Sequence, residues 1–322
     1  MRIRHLATLL TAVALAATSA ACSSEGSESS DKDIRLDYAY YNPLSLVVRD
    51  QKLLENQGYN VTWILSAGSN KANEGVRSNA LDFGSTAGSA ALVARANGTP
   101  LKVVDVYSQP EWTALVVAKD SPVKSVADLK GKKIAVTKGT DPYFFLLQAL
   151  DANGLSASDV EIVNLQHADG KTALERGDVD AWSGLDPFMA QTVQEQGARL
   201  LYRNPEFNSY GVLNVREDFS AAHPDTVQAV VNSYEEARKW ALEHPAELTT
   251  LLAQEAKISQ SVAEEEMERT ALDIDPVPGA AQKTVLEKIV PIAVADGDIK
   301  SEQAAQEALG TLLDPQFAQN AD

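Results

Sequence analysis

Cysteine is almost absent from this chain: Cys22 is the only one among 322 residues. Without a second thiol there is no intrachain disulfide and no thiolate metal cluster. Histidine is scarce as well. None of His5, His167, His223 and His244 has a second His, Cys or carboxylate at a metal-ligand spacing such as HExxH. Positive charge is short, with 28 Lys and Arg against 45 Asp and Glu and a net charge of −17. That balance argues against nucleic acid and anionic membranes as partners and suits a protein kept dispersed by its own charge. Catalytic templates are missing too. Gly84-Ser85-Thr86-Ala87-Gly88 carries Thr86 where a nucleophile elbow needs serine, and Gly131-Lys132 lacks the upstream glycine of a phosphate loop. No internal repeat is present at solenoid spacing. No enzyme activity, cofactor or metal is expected.

Long apolar runs are lacking except at the N-terminus. Leu6–Ala17 is too short for a membrane span, follows Arg2 and Arg4, and leads through small residues to Cys22. This pattern resembles a lipoprotein signal peptide, with 1–21 removed and Cys22 lipidated. Residues 22–33, rich in Ser, Glu, Asp and Gly, then form a flexible tether. Loss of Arg2 and Arg4 would take the charge from −17 to −19. The expected location is extracytoplasmic, on a membrane-anchored lipoprotein. The remaining length suffices for two lobes stabilised by their cores alone.

Beyond the tether, short apolar runs alternate with helical segments. Strands are predicted at 34–40, 61–66, 81–85, 101–107, 114–119, 132–137, 160–165, 181–184, 199–202 and 210–215, rich in Val, Ile and Leu and bounded by turn residues. Helices are predicted at 45–57, 72–79, 89–96, 143–153, 170–176 and 188–196. The alternation indicates α/β lobes built on mostly parallel sheets. From Asp225 helix formers dominate, with helices predicted at 226–243, 246–255, 260–269, 281–293 and 301–312. Breaks at 107–113 and 203–210 mark two crossings between lobes. One lobe then comprises 34–110 and 211–322, with C-terminal helices, and the other 111–210. Two crossing strands make a hinge, and a ligand would sit in the cleft beside it.

Candidate binding residues lie where strands pass into helices, since α/β sheets bind ligands at the carboxyl ends of their strands. Ser85, Thr86, Gly88 and Ser89 end a strand and open an Ala-rich helix, whose free N–H groups and partial positive charge suit an anion. Gly139, Thr140 and Asp141 repeat the arrangement in the other lobe, with Asp141 a capping residue ahead of Pro142. Asn42 and Ser69 follow the first two strands. Glu111 and Trp112 lie at the first crossing and Tyr210 at the second. Trp182 and Asp186 end the strand in DAWSGLDP. Trp182, Trp112 or Tyr143 would pack on a ligand substituent, and Asp186 would accept an ammonium. His167, near Asp169, reads as a loop or capping neighbour. Asp186 or Glu111 as a catalytic base is the enzymatic alternative.

Several segments carry a family resemblance: DFGSTAGSAALVARANGTPLKVV, DSPVKSVADLKGKKIAVTKGT, LLQALDANGLSASDVEIVNL, GDVDAWSGLDPFMA and VNSYEEARKWALEHPAEL. Together they resemble the family of aliphatic-sulfonate-, taurine- and nitrate-binding lipoproteins of ABC importers. The resemblance implies a bilobal type II periplasmic-binding-protein fold that closes on ligand and delivers it to a permease with its ATPase. It implies ligand contacts at Ser85–Ser89, at Gly139–Asp141 and around Trp182 and Asp186. This chain has Gly88-Ser89 where sulfonate binders carry Gly-Asp, and adds a carboxylate at Asp141. An added carboxylate near the anion position disfavours an anionic ligand unless Asp141 points away. The expectation is a monomeric receptor for an alkanesulfonate or taurine-like compound. Nitrate, bicarbonate or an aromatic, pyrimidine-like heterocycle are the alternatives.

Overall fold

The computed structural model describes residues 32–321. The expected signal sequence at 1–21, the lipidation at Cys22 and nearly all of the tether 22–33 lie outside the described residues. Among those described, no helix is long and apolar enough to cross a membrane.

The elements follow one another in chain order. The first half of the chain runs β1 (Asp33–Tyr38), α1 (Pro43–Asp50), β2 (Asn60–Leu65), α2 (Ser69–Arg77), β3 (Phe83–Ala87), α3 (Gly88–Ala96) and β4 (Leu101–Pro110). After a crossing come β5 (Leu115–Val117), β6 (Lys133–Val136), α4 (Asp141–Ala152), β7 (Glu161–Asn164), α5 (His167–Arg176), β8 (Ala181–Ser183), α6 (Phe188–Gln196) and β9 (Arg199–Tyr202). The chain returns in β10 (Gly211–Arg216), followed by α7 (Glu217–Ala222), α8 (Pro224–Glu243), α9 (Pro245–Ala256), α10 (Gln260–Glu268) and β11 (Thr270–Ala271). It ends in α11 (Ala280–Asp296), α12 (Glu302–Leu312) and α13 (Gln316–Gln319).

Two sheets result. The first has six strands in the order β11-β4-β10-β3-β1-β2, the second five in the order β7-β6-β8-β5-β9. The βα units give parallel pairs, β1 with β2 and β3, and β6 with β7 and β8. The crossings give antiparallel ones: β10 inserts between β3 and β4, and β5 pairs with β8 and β9. Both sheets are therefore mixed, not mostly parallel. The reason is topological, because the strand entered after each crossing, β5 in one sheet and β10 in the other, runs against the direction of the βα units.

Apolar faces close around the sheets. Leu36, Phe83 and Leu213 of the first sheet pack with Val230 and Tyr234 of α8. Val116, Ala135 and Trp182 of the second pack with Met189 of α6. A third cluster runs from Val103 and Val212 to Val136 and Phe144 and takes Leu286 and Ile289 from α11, so the C-terminal helices brace both lobes. Arg203 donates to Glu111 from Nε and Nη2, at 2.8 and 2.7 Å, and so clips one crossing to the other.

Gly211 opens the return strand directly against the Tyr107 ring. A Cβ there would overlap the ring and lie 2.6 Å from Ser108 Oγ. Gly211→Ala should lower stability by about 1–3 kcal/mol through this overpacking. Urea unfolding checks it, and an unchanged midpoint would show that Tyr107 moves aside freely.

Candidate functional site

Four helices begin on the same side of the two sheets, each just beyond a strand: α2 after β2, α3 after β3, α4 after β6 and α5 after β7. Contacts join these starts into a ring. Ser69 Oγ of α2 accepts from the Ala87 amide ahead of α3 at 3.0 Å. Ser89 Oγ of α3 donates to Asp141 Oδ1 of α4 at 2.6 Å. Gly139, in the left-handed region at φ 75°, brings the approach to α4 against α2, where its Cβ would lie 3.6 Å from Asn70 Cβ. Gly68, the N-cap of α2, lies so close to the start of α5 that a Cβ on it would be 2.9 Å from His167 Nε2. Helix N-termini expose unpaired N–H groups and a partial positive charge, so the ring favours electron-rich ligand atoms. The N-caps Gly68, Thr140 and Gln166 give no side-chain hydrogen bond to their helices.

Asp141 lies at the centre of the contact between lobes and is 1% exposed. Its Oδ1 accepts from Ser89 Oγ at 2.6 Å and Ser209 Oγ at 2.7 Å. Its Oδ2 accepts from Trp112 Nε1 and from the Ser209 amide, both at 2.8 Å. Burial raises its pKa, while the bonds from Ser89, Trp112 and Ser209 pull it back. The carboxylate thus points into the contact between lobes, and four donors from three segments are committed to it.

Ser85, Thr86, Gly88 and Ser89, expected as ligand contacts, have polar groups engaged within the protein in this structure. Ser85 donates its amide and hydroxyl to Asp37 Oδ1 at 2.8 and 2.9 Å. Its hydroxyl accepts from Asn42 Nδ2 at 2.7 Å, so Asn42 also faces the protein. Thr86 Oγ1 accepts from Asn214 Nδ2 at 2.7 Å. The Gly88 amide donates to the Tyr210 carbonyl at 2.9 Å, and the Ser89 amide to Ser209 Oγ at 3.2 Å. Thr140 spends its hydroxyl proton on the Thr137 carbonyl at 2.6 Å.

Of the remaining candidates, Ser69, Gly139, Thr140, Asp141 and Trp112 do gather at the lobe contact. Glu111 is bound by Arg203. Asp186, expected to accept a ligand ammonium, accepts from Arg269 Nε and Nη2, at 2.9 Å each, and so ties the end of α10 to the second sheet. Trp182 is fully buried in the second lobe's core beside Gly170. Tyr143 donates to Asp296 of α11. Tyr210 packs near Val103, Val212 and Leu286.

Gly68, Asn70, His167 and Ser209 are brought to the site without having been expected there. Ser209 belongs to the return crossing. His167 is the first residue of α5 and 1% exposed, where burial lowers its pKa to about 3 and keeps the ring neutral. The rule that singled out the other loops, a strand running into a helix, applies equally after β7 and could have found it.

Two α/β lobes joined by two crossings, with helix starts from both lobes meeting at their contact, define a bilobal protein of the periplasmic-binding-protein fold. The chain belongs to the NMT1/THI5-like family, whose model matches residues 46–248. It is 31% identical over 274 residues to a putative aliphatic sulfonates-binding protein of Bacillus subtilis, covering 83% of this chain and 82% of that one. It is 29% identical over 214 residues to the Escherichia coli protein of the same description, covering 65% and 67%. The alkanesulfonate-binding protein SsuA from Xanthomonas axonopodis pv. citri, solved bound to MOPS, shares the fold with a TM-score of 0.78. It is 24% identical, over 86% of this chain and 97% of that one.

Asp141→Asn leaves one acceptor oxygen and turns an NH₂ toward donors. It should cost about 2–4 kcal/mol, by the worth of bonds to a buried charge. It should also loosen the lobes, seen as a larger radius of gyration in X-ray scattering; an unchanged midpoint and radius would show the network to be dispensable. A second expectation concerns pH. Burial pushes Asp37 from 3.8 up to about 6. The native state therefore holds this proton to higher pH than the unfolded chain does. The resulting stability is present at low pH and is lost as pH rises through about 6. Asp37→Asn removes that slope, so the variant should gain on the wild type between pH 4 and 7 in denaturant titrations. A difference independent of pH would refute it.

Proposed function

We propose that this chain is the extracytoplasmic solute-binding component of an ABC importer. In this reading it captures a small sulfonate-type compound, an alkanesulfonate or taurine-like molecule, between its lobes. The observation that carries the reading is the convergence of the α2, α4 and α5 starts, without side-chain caps, on one lobe contact. Backbone N–H groups can hold a sulfonate there without an arginine. The relatives described as sulfonate-binding support the choice of anion. Lobe closure would expel water and strengthen each of these bonds. The protein acts as a monomer, passes its ligand to a permease with its ATPase, and is held to the membrane through lipidated Cys22. It binds its solute without transforming it.

Thermal unfolding of the full chain in detergent tests the reading. The panel holds alkanesulfonates of increasing length, taurine, aryl sulfonates, nitrate, bicarbonate and pyrimidines. A ligand at a hundred times its Kd stabilises by about 2.7 kcal/mol, a readable shift. Stabilisation by sulfonates is the expected outcome. Stabilisation by nitrate, bicarbonate or a heterocycle alone would reassign the ligand and reject the sulfonate.

A further inference from the structure

The tautomer of His167 follows from its neighbour. Thr137 Oγ1 lies 2.7 Å from the Leu165 carbonyl and 3.1 Å from His167 Nδ1. A hydroxyl has one proton, and a carbonyl can only accept, so that proton goes to Leu165. Toward His167 the same oxygen can then only accept, and Nδ1 must carry the ring hydrogen. A neutral imidazole with its hydrogen on Nδ1 has a bare lone pair on Nε2. Burial keeps the ring neutral, as its lowered pKa indicates. Nε2 is therefore an acceptor.

This acceptor has no hydrogen-bond partner in the protein, although the residue is almost wholly buried. It points at the start of α2, 2.9 Å from the position a Cβ would take on Gly68. Asn70 Oδ1, also buried and without a partner, lies 2.9 Å from the same position. One acceptor comes from each lobe, and both reach the glycine that caps a helix inside the ring. Nothing larger than glycine leaves them room. Buried polar atoms are nearly always satisfied, so a pair of orphaned acceptors marks a place for a donor. A sulfonate, nitrate or bicarbonate oxyanion presents acceptor oxygens and would meet two lone pairs there.

We infer that the ligand carries an N–H or O–H donor beside its anionic group, and that His167 Nε2 and Asn70 Oδ1 select it. This rests on the cleft being the sulfonate site proposed above, and it narrows the substrate class to amino- or hydroxy-substituted sulfonates. His167 is on this account a specificity residue, and Thr137 positions it by fixing which nitrogen is bare.

Calorimetry on the full chain with three ligands tests it: 2-aminoethanesulfonate, 2-hydroxyethanesulfonate and ethanesulfonate. They share an anion and a chain length and differ in the donor. The wild type should bind the two donor-bearing compounds at least about tenfold more tightly than ethanesulfonate, because the unsubstituted ligand leaves both acceptors unpaired. His167→Phe should bring the three to within about twofold of one another. Asn70→Ala, at a half-buried position, should halve the preference on a logarithmic scale and keeps the test open if the Phe variant fails to fold. Equal wild-type affinity for all three would overturn the donor assignment and leave the sulfonate reading standing. Failure of all three to bind would overturn both.

Discussion

A carboxylate removed from water must be surrounded by donors, and Asp141 meets that requirement with groups from separate parts of the chain. Ser89 comes from the first lobe, Trp112 from the outgoing crossing and Ser209 from the return. An uncompensated buried charge costs several kcal/mol, so these segments are held to one arrangement. The ring geometry follows from it. With Ser89 drawn onto Asp141, the α3 start meets the α4 start. The approach to α4, through Gly139, is then laid against Asn70 of α2. The Trp112 and Tyr41 rings also pack in a T shape with centroids 6.0 Å apart, which carries the same constraint back toward the end of β1.

Other ties between lobes lie away from the ring and serve its alignment. Arg269 holds Asp186 from the end of α10, and its own carbonyl accepts from the Glu111 amide at 2.7 Å. Tyr143 reaches Asp296 at the end of α11. Each links a C-terminal helix to the second lobe, so the helical tail takes part in setting how the lobes meet. Residues that looked like ligand contacts, Asp186 and Glu111 foremost, serve that scaffold. Their charge is spent on arginines whose sequence positions lie far away.

The fold was largely legible in the sequence because its strands are dense in Val, Ile and Leu and its helices are amphipathic. β8, only Ala181–Ser183, is readable since Trp182 fills a core. β11 is not, because Thr270 and Ala271 become a strand solely by pairing with Pro110 and Gln109. The helix starts were the weak point, and the site is made of them. α2 and α5 begin at Ser69 and His167, three residues before the predicted Ala72 and Gly170. Neither cap residue, Gly68 nor Gln166, carries the Ser, Thr, Asp or Asn signal that marks a helix start. Tertiary contacts set these ends, and no capping side chain in the sequence marks where they fall. The direction of Asp141 was illegible for the same reason, since its partners lie 52, 29 and 68 residues away.

The buried carboxylate and the helix starts together bear on what charge the cleft can take. Asp141 already supplies one negative charge to the side of the ring formed by α3 and the crossings. A second anion brought nearby is favoured by the α2, α4 and α5 starts and opposed by Asp141. A solute whose anion lies on the helix starts, and whose ammonium or hydroxyl hydrogen lies on His167 Nε2 and Asn70 Oδ1, resolves the conflict. For the amino compound the ligand enters with no net charge, so no uncompensated charge is buried on closure. For the hydroxy compound the anion remains, and only the donor is satisfied. On electrostatic grounds alone the zwitterion is the better fit.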